Sequence, residues 1–157
     1  MNRFKGVVGA SVLAMIVMAL VAGVGSAATR TYTLKASLGT KSLASVKDAS
    51  GANGTLTSKL TVAGKKSHYT WTLTVHHLSG RVTRASIYYA NGNKTGTLAL
   101  PLCVKCQTPT AHGEYVGSYV ANATFLSKVL HGGAYVIVAT KLNPKGEIRG
   151  QIKATAS

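Results

Sequence analysis

Along most of the chain apolar and polar residues alternate with period two, most clearly in His68-Tyr69-Thr70-Trp71-Thr72-Leu73-Thr74-Val75-His76. Tyr69, Trp71, Leu73 and Val75 fall on one face and the threonines and histidines on the other, the pattern of a half-buried β-strand. The same alternation predicts strands over 32–38, over 56–62 with Leu56, Leu60 and Val62 inward, over 83–89 and over 97–102. Clusters of turn-forming residues separate them, among them Ser50-Gly51-Ala52-Asn53-Gly54 and Asn91-Gly92-Asn93-Lys94. Residues 134–140 are apolar on both faces, as a central strand is. Asn143-Pro144-Lys145-Gly146 reads as a turn, and 147–153 as a returning strand with Ile148 and Ile152 inward. One segment departs from the alternation. Between Asn122 and Gly133 apolar residues recur at helical spacing, with Asn122 or Thr124 as cap and Gly132-Gly133 as stop, which predicts a short helix near 124–131. Short strands punctuated in this way define an antiparallel sandwich or barrel.

The amino-terminal segment stands apart. Asn2-Arg3-Phe4-Lys5 is a basic start, Gly6 to Gly25 is apolar without a charge, and Gly25-Ser26-Ala27-Ala28 is a small-residue exit. This is the layout of a signal peptide over 1–28, leaving one domain over 29–157; the run also just reaches transmembrane length, so an uncleaved anchor is the alternative. The protein is therefore expected outside the cytoplasm: secreted, periplasmic or attached to the cell envelope. In an exported chain Cys103 and Cys106, its only cysteines, read as a local disulfide. The flanking prolines and β-type residues lack the helix amino terminus that a redox pair requires.

Charge adds a second constraint. The 157 residues hold 18 Lys plus Arg against three acids, Asp48, Glu114 and Glu147, a net charge of +15. Without Arg3 and Lys5 the domain keeps 16 cations against those three acids, so its charge is +13. An uncompensated excess of this size implies an anionic partner or an adapted surface. Outside the cell the partner class is an anionic polymer or surface, such as wall polymer, polysaccharide or lipid head groups; membrane contact is otherwise expected only through an uncleaved leader.

The carboxy-terminal residues are specific. Leu126, Val129, Leu130 and Gly132-Gly133-Ala134-Tyr135-Val136 precede Asn143-Pro144-Lys145-Gly146-Glu147-Ile148-Arg149-Gly150-Gln151-Ile152. This combination resembles the CHRD, or chordin-type, domain family, with Ala49-Ser50-Gly51 and Leu78-Ser79-Gly80 as supporting features. The resemblance implies an all-β antiparallel Greek-key sandwich, immunoglobulin- or superoxide-dismutase-like, usually exported and without settled activity in its bacterial members. Asn143, Pro144, Gly146, Glu147, Arg149 and Gly150 are then structural motif residues. Such a sandwich has no groove-reading element, so no specific nucleic-acid recognition is expected.

The chain also departs from that family. Where the family commonly carries three histidines and an asparagine on one face of adjacent strands, this sequence has Ser86, Tyr88, Ala139 and Ile137. No metal site and no cofactor is expected there. His76 and His77, as strand neighbours, point to opposite faces, and His131 suits the negative end of the helix dipole. His112 with Glu114 is expected as a solvated pair in a surface loop, and Glu147 with Arg149 as an ion pair, lateral or across strands. No catalytic residues are assigned: the expectation is a non-enzymatic binding or structural module whose anion contacts are Arg84, Tyr88, Lys94 and Arg149. The alternatives are a metal-assisted enzyme on the same sandwich, or a small basic hydrolase using His112, Glu114 and Arg149.

Overall fold

The computed structural model describes residues 28–49, 51–103, 106 and 113–156; the leader, His112 and the side chain of Glu114 lie outside the described residues. Within them the elements run β1 (Thr29–Gly39), β2 (Asn53–Ala63), β3 (Lys66–His76), β4 (Val82–Tyr89), β5 (Thr97–Cys103), β6 (Gly113–Val120), α1 (Ala123–Leu130), β7 (Tyr135–Thr140), β8 (Ile148–Gln151) and β9 (Lys153–Ala156). The strands pair antiparallel in the order β5-β4-β7-β8-β1-β2-β3-β6, with β9 also on β1. The outermost strands β5 and β6 approach one another, so the sheet is nearly closed. No helix among the described residues is long and apolar enough to cross a membrane.

Each predicted strand is present, and the inward set is the one that alternation selects. Leu34, Ala36 and Leu38 of β1, Leu56 and Leu60 of β2, and Tyr69, Trp71, Leu73 and Val75 of β3 are buried together. Val62 packs against this core only partly buried. β7 lies between β4 and β8 and is buried at every position. The helix begins one residue earlier than predicted: Asn122 is its cap, the side chain accepting from the Phe125 N–H at 2.8 Å. Gly132, at φ +70°, turns the chain away after it. Phe125 is buried and meets Tyr69 edge-on at 5.0 Å.

Two expectations are corrected. Residues 113–120 form strand β6 rather than a surface loop, pairing along β3 from Val75↔Gly113 to His68↔Val120. Its alternation is obscured by Gly117, which faces Trp71 across the pair; a Cβ there would collide with the indole ring. The returning strand of 147–153 is also divided. β8 pairs with β7 from Tyr135↔Gln151 to Val138↔Ile148, whereas β9 pairs with β1 from Tyr32↔Ala156 to Lys35↔Lys153. Ile152 is the pivot, its N–H donating to the Ala134 carbonyl. One continuous segment therefore changes partners and ties the two halves of the sandwich together. Gly150 sits in this crossing, where a side chain would run into the Ser37 carbonyl.

One polar chain runs through the core. The Tyr69 hydroxyl donates to Ser58 Oγ at 3.0 Å, and Ser58 Oγ donates to the Leu34 carbonyl at 3.2 Å. Desolvation pushes the phenol up to about 12, against the smaller opposing effect of its hydrogen bond with Ser58. The ionised phenol is thus disfavoured in the folded state, and its contribution to stability is complete below the ordinary value near 10 and lost as pH rises to about 12. Tyr69→Phe should cost about 1 kcal/mol at pH 8 in urea melts. The deficit relative to wild type should close between pH 10 and 12; a constant deficit over that window would contradict the buried phenol.

Candidate functional site

The face of β4, β7 and β8 that looks away from the core is set by register. Ser86 lies opposite Ile137, Tyr88 opposite Tyr135 and Arg84 opposite Ala139, while Ile137 is also paired with Arg149. Positions 86, 88, 137 and 139 therefore share a face, as alternation requires. That face is partly filled, with Ser86 and Ala139 buried, and partly open. A cavity of about 520 Å³ is lined by Arg84, Tyr88, Tyr135, Ile137, Lys145 and Arg149, with Leu43 and Pro144 at its loop side. Among the described residues no carboxylate lines it. Tyr88 stacks on Tyr135 with ring centroids 5.6 Å apart and planes 16° from parallel.

Arg149 does not pair with Glu147, and this overturns the expected ion pair. Its guanidinium carbon lies 3.6 Å from the Tyr135 ring centroid, and its N–H groups donate to the carbonyls of Gly92, Asn93 and Lys94. Arg149 is 7 % exposed, so a cation with only neutral partners is held at the edge of the cavity. These bonds fix the loop between β4 and β5, as do Gln151 Nε2 donating to the Ala90 carbonyl and the Tyr135 hydroxyl accepting from the Gly96 N–H. Lys94 belongs to this loop but is exposed and does not line the cavity. Arg84 is exposed, with its Nη2 3.4 Å from the Pro144 carbonyl.

Glu147 has turned the other way. Its side chain is 0 % exposed and has no cation among its partners; Ser79 donates from both N–H and Oγ, Thr140 from Oγ1 and Asn143 from Nδ2. Burial pushes this carboxyl up, but the bonds from Ser79 Oγ, Thr140, the Ser79 N–H and Asn143 outweigh it and hold the pKa below the ordinary glutamate value. Asn143 extends the network, its Oδ1 accepting from the Lys47 N–H at 2.8 Å and its Nδ2 donating to the Lys47 carbonyl at 2.9 Å. The Asn143–Gly146 turn closes with the Gly146 N–H on the Asn143 carbonyl. Gly146, at φ +135°, lies where a side chain would strike Ile137. The motif residues thus seat the turn that carries Pro144 and Lys145 to the cavity.

Of the expected contacts, the structure brings Arg84, Tyr88 and Arg149 together and leaves Lys94 outside. Tyr135 and Lys145 were missed. Lys145 was visible as a basic turn residue, but only the register of β4 against β7 shows Tyr135 under Tyr88. Cys103 and Cys106 are bonded, their Cα atoms 5.3 Å apart. His131 caps the helix end, its Nδ1 2.7 Å from the Ser127 carbonyl.

Fold and site together define an antiparallel β-sandwich domain with a cation-lined cleft on its outer face. A family model described as the CHRD domain matches residues 34–152. The chain belongs to the CHRD domain family. No curated protein and no solved structure matches it.

Replacing Glu147 with Gln would put an N–H₂ group among donors. It should lower stability by about 3 kcal/mol at pH 7. Because the folded-state pKa is depressed, the wild-type advantage is present above the ordinary value and lost as pH falls below about 4. Thermal melts of both proteins from pH 7 to pH 3 should therefore draw closer together; parallel curves would show that the carboxylate is not the stabilised form.

Proposed function

We propose that this protein is an exported, non-enzymatic binding module whose outer cleft takes an acidic group of an anionic polymer. The observation that supports the reading is Arg149: a nearly buried cation with only neutral partners, beside exposed Arg84 and Lys145, with no carboxylate among the described residues lining the cleft. Low-dielectric walls around such a charge focus its field outward, so an anion entering the cleft meets uncompensated positive potential. The Tyr88–Tyr135 pair adds a flat apolar wall against which a ring can lie. Export is supported by the layout of residues 1–28 and fits the disulfide between Cys103 and Cys106.

The reading predicts retention on immobilised heparin with elution that moves strongly with salt. Arg84→Ala with Lys145→Ala should weaken binding of a short sulfated oligosaccharide by about tenfold in 0.15 M salt while leaving the melting temperature within a few degrees. Release of the wild type at low salt, or full affinity in the double variant, would sink the proposal.

A further inference from the structure

The cleft is not isolated. Arg149 also lines a second hollow of about 440 Å³ with Ser37, Gly39, Thr40 and Lys41. Ser37 in turn lines a third, of about 230 Å³, together with Lys35, Gln151 and Lys153. Shared walls join the three hollows in sequence along the seam where β8 and β9 meet β1. From this continuity we infer that the seam is a track for an extended acidic polysaccharide, with the Tyr88–Arg149 cleft as its first subsite and the Lys35–Lys153 hollow as its last. The inference rests on the polyanion reading of the cleft and names the polymer.

One feature at the far end points to a ligand of this class. Lys35 and Lys153 are directly opposed across the β1–β9 pair, and both are exposed. Like charges in that position destabilise a sheet, and an anion between them removes the repulsion. Among the described residues no carboxylate lines the hollow beside them. Gln151 forms a fixed wall of the hollow. Its Nε2 donates to the carbonyls of Ala90, Gly132 and Ala134, which fixes the orientation of the amide. Its Oε1 is buried and has no hydrogen-bond partner. The hollow therefore presents two ammonium groups beside a wall that Gln151 holds rigid, a set that suits the acidic group of a sugar ring.

The neighbouring surface favours the same ligand over other polyanions. Lys35 continues across β2 and β3 as Thr57 and Thr72, and the next rung is Thr155, Thr33, Lys59 and Thr70. Side chains on this face repeat at about 4.8 Å between strands and about 6.8 Å along them, a flat array of hydroxyl and ammonium groups. Single-stranded nucleic acid is held by successive aromatic platforms, and a lipid surface by apolar residues that insert. Among the described residues of these rungs on β9, β1, β2 and β3 there is neither, and the aromatic residues of β3, Tyr69 and Trp71, face the core.

The test is the dependence of affinity on ligand length. Sulfated oligosaccharides from four to twelve sugars should bind the purified protein with affinity that rises until the ligand spans all three hollows and then levels off. Lys35→Thr with Lys153→Thr relieves a like-charge pair and introduces strand-favouring residues, so its melting temperature should equal or exceed that of wild type. That variant should keep wild-type affinity for the four-sugar ligand and lose about tenfold for the twelve-sugar ligand; Lys35→Gln with Lys153→Gln should behave alike. A charge-matched Lys65→Thr with Lys66→Thr variant, at the β2–β3 turn and the first residue of β3, should lose much less. If the length dependence survives in the seam variants, or the turn variant loses as much, the track is wrong while the cleft stands. Equal length dependence and equal loss with single-stranded DNA, or with vesicles of anionic lipid in place of the oligosaccharide, would overturn the sugar assignment. Absence of wild-type binding to any of the oligosaccharides would instead remove the polyanion reading itself.

Discussion

A single buried carboxylate organises the functional end of this sandwich. Glu147 has no cationic partner, so the cost of its burial is offset by donors from three different segments: the loop before β4 through Ser79, the end of β7 through Thr140, and the following turn through Asn143. Asn143 then holds the backbone of Lys47, which lies in the long connection between β1 and β2. Each donor satisfies a charge that has no access to water, so no one of these loops can move without leaving Glu147 short of a bond. The loops so fixed carry Leu43, Pro144 and Lys145 to the wall of the cleft.

The crossing of the last strand is a second constraint, acting on backbone instead of charge. β8 completes the β4–β7 side and β9 completes the β1–β2–β3 side, with Ile152 buried between them. The change of partners requires the chain to pass over β1 closely enough that Gly150 meets the Ser37 carbonyl. That same closeness forms the seam whose hollows Arg149, Gln151 and Lys153 line. Alternation around Gly150 and Ile152 places these three polar side chains outward, so a packing requirement and a row of candidate ligand contacts arise from one pentapeptide pattern.

The sequence by itself determined the strands, because period-two alternation in 68–76 or 32–38 has one solution in which the apolar residues share a core. It also determined the helix, through its cap and stop, and the family, through the Asn143–Ile152 block, which the match over residues 34–152 bears out. Strand β6 escaped because Gly117 contributes no side chain to the pattern; its role, admitting the Trp71 indole, exists only once β3 and β6 are paired. The partners of Glu147 and Arg149 were likewise beyond reach. Two opposite charges two residues apart suggest a pair, yet one side chain was drawn to donors remote in sequence and the other to the carbonyls of residues 92–94. Local pattern reports which way a side chain points; tertiary structure alone decides what it meets there, and for buried charges that meeting sets both the geometry of the cleft and the field within it.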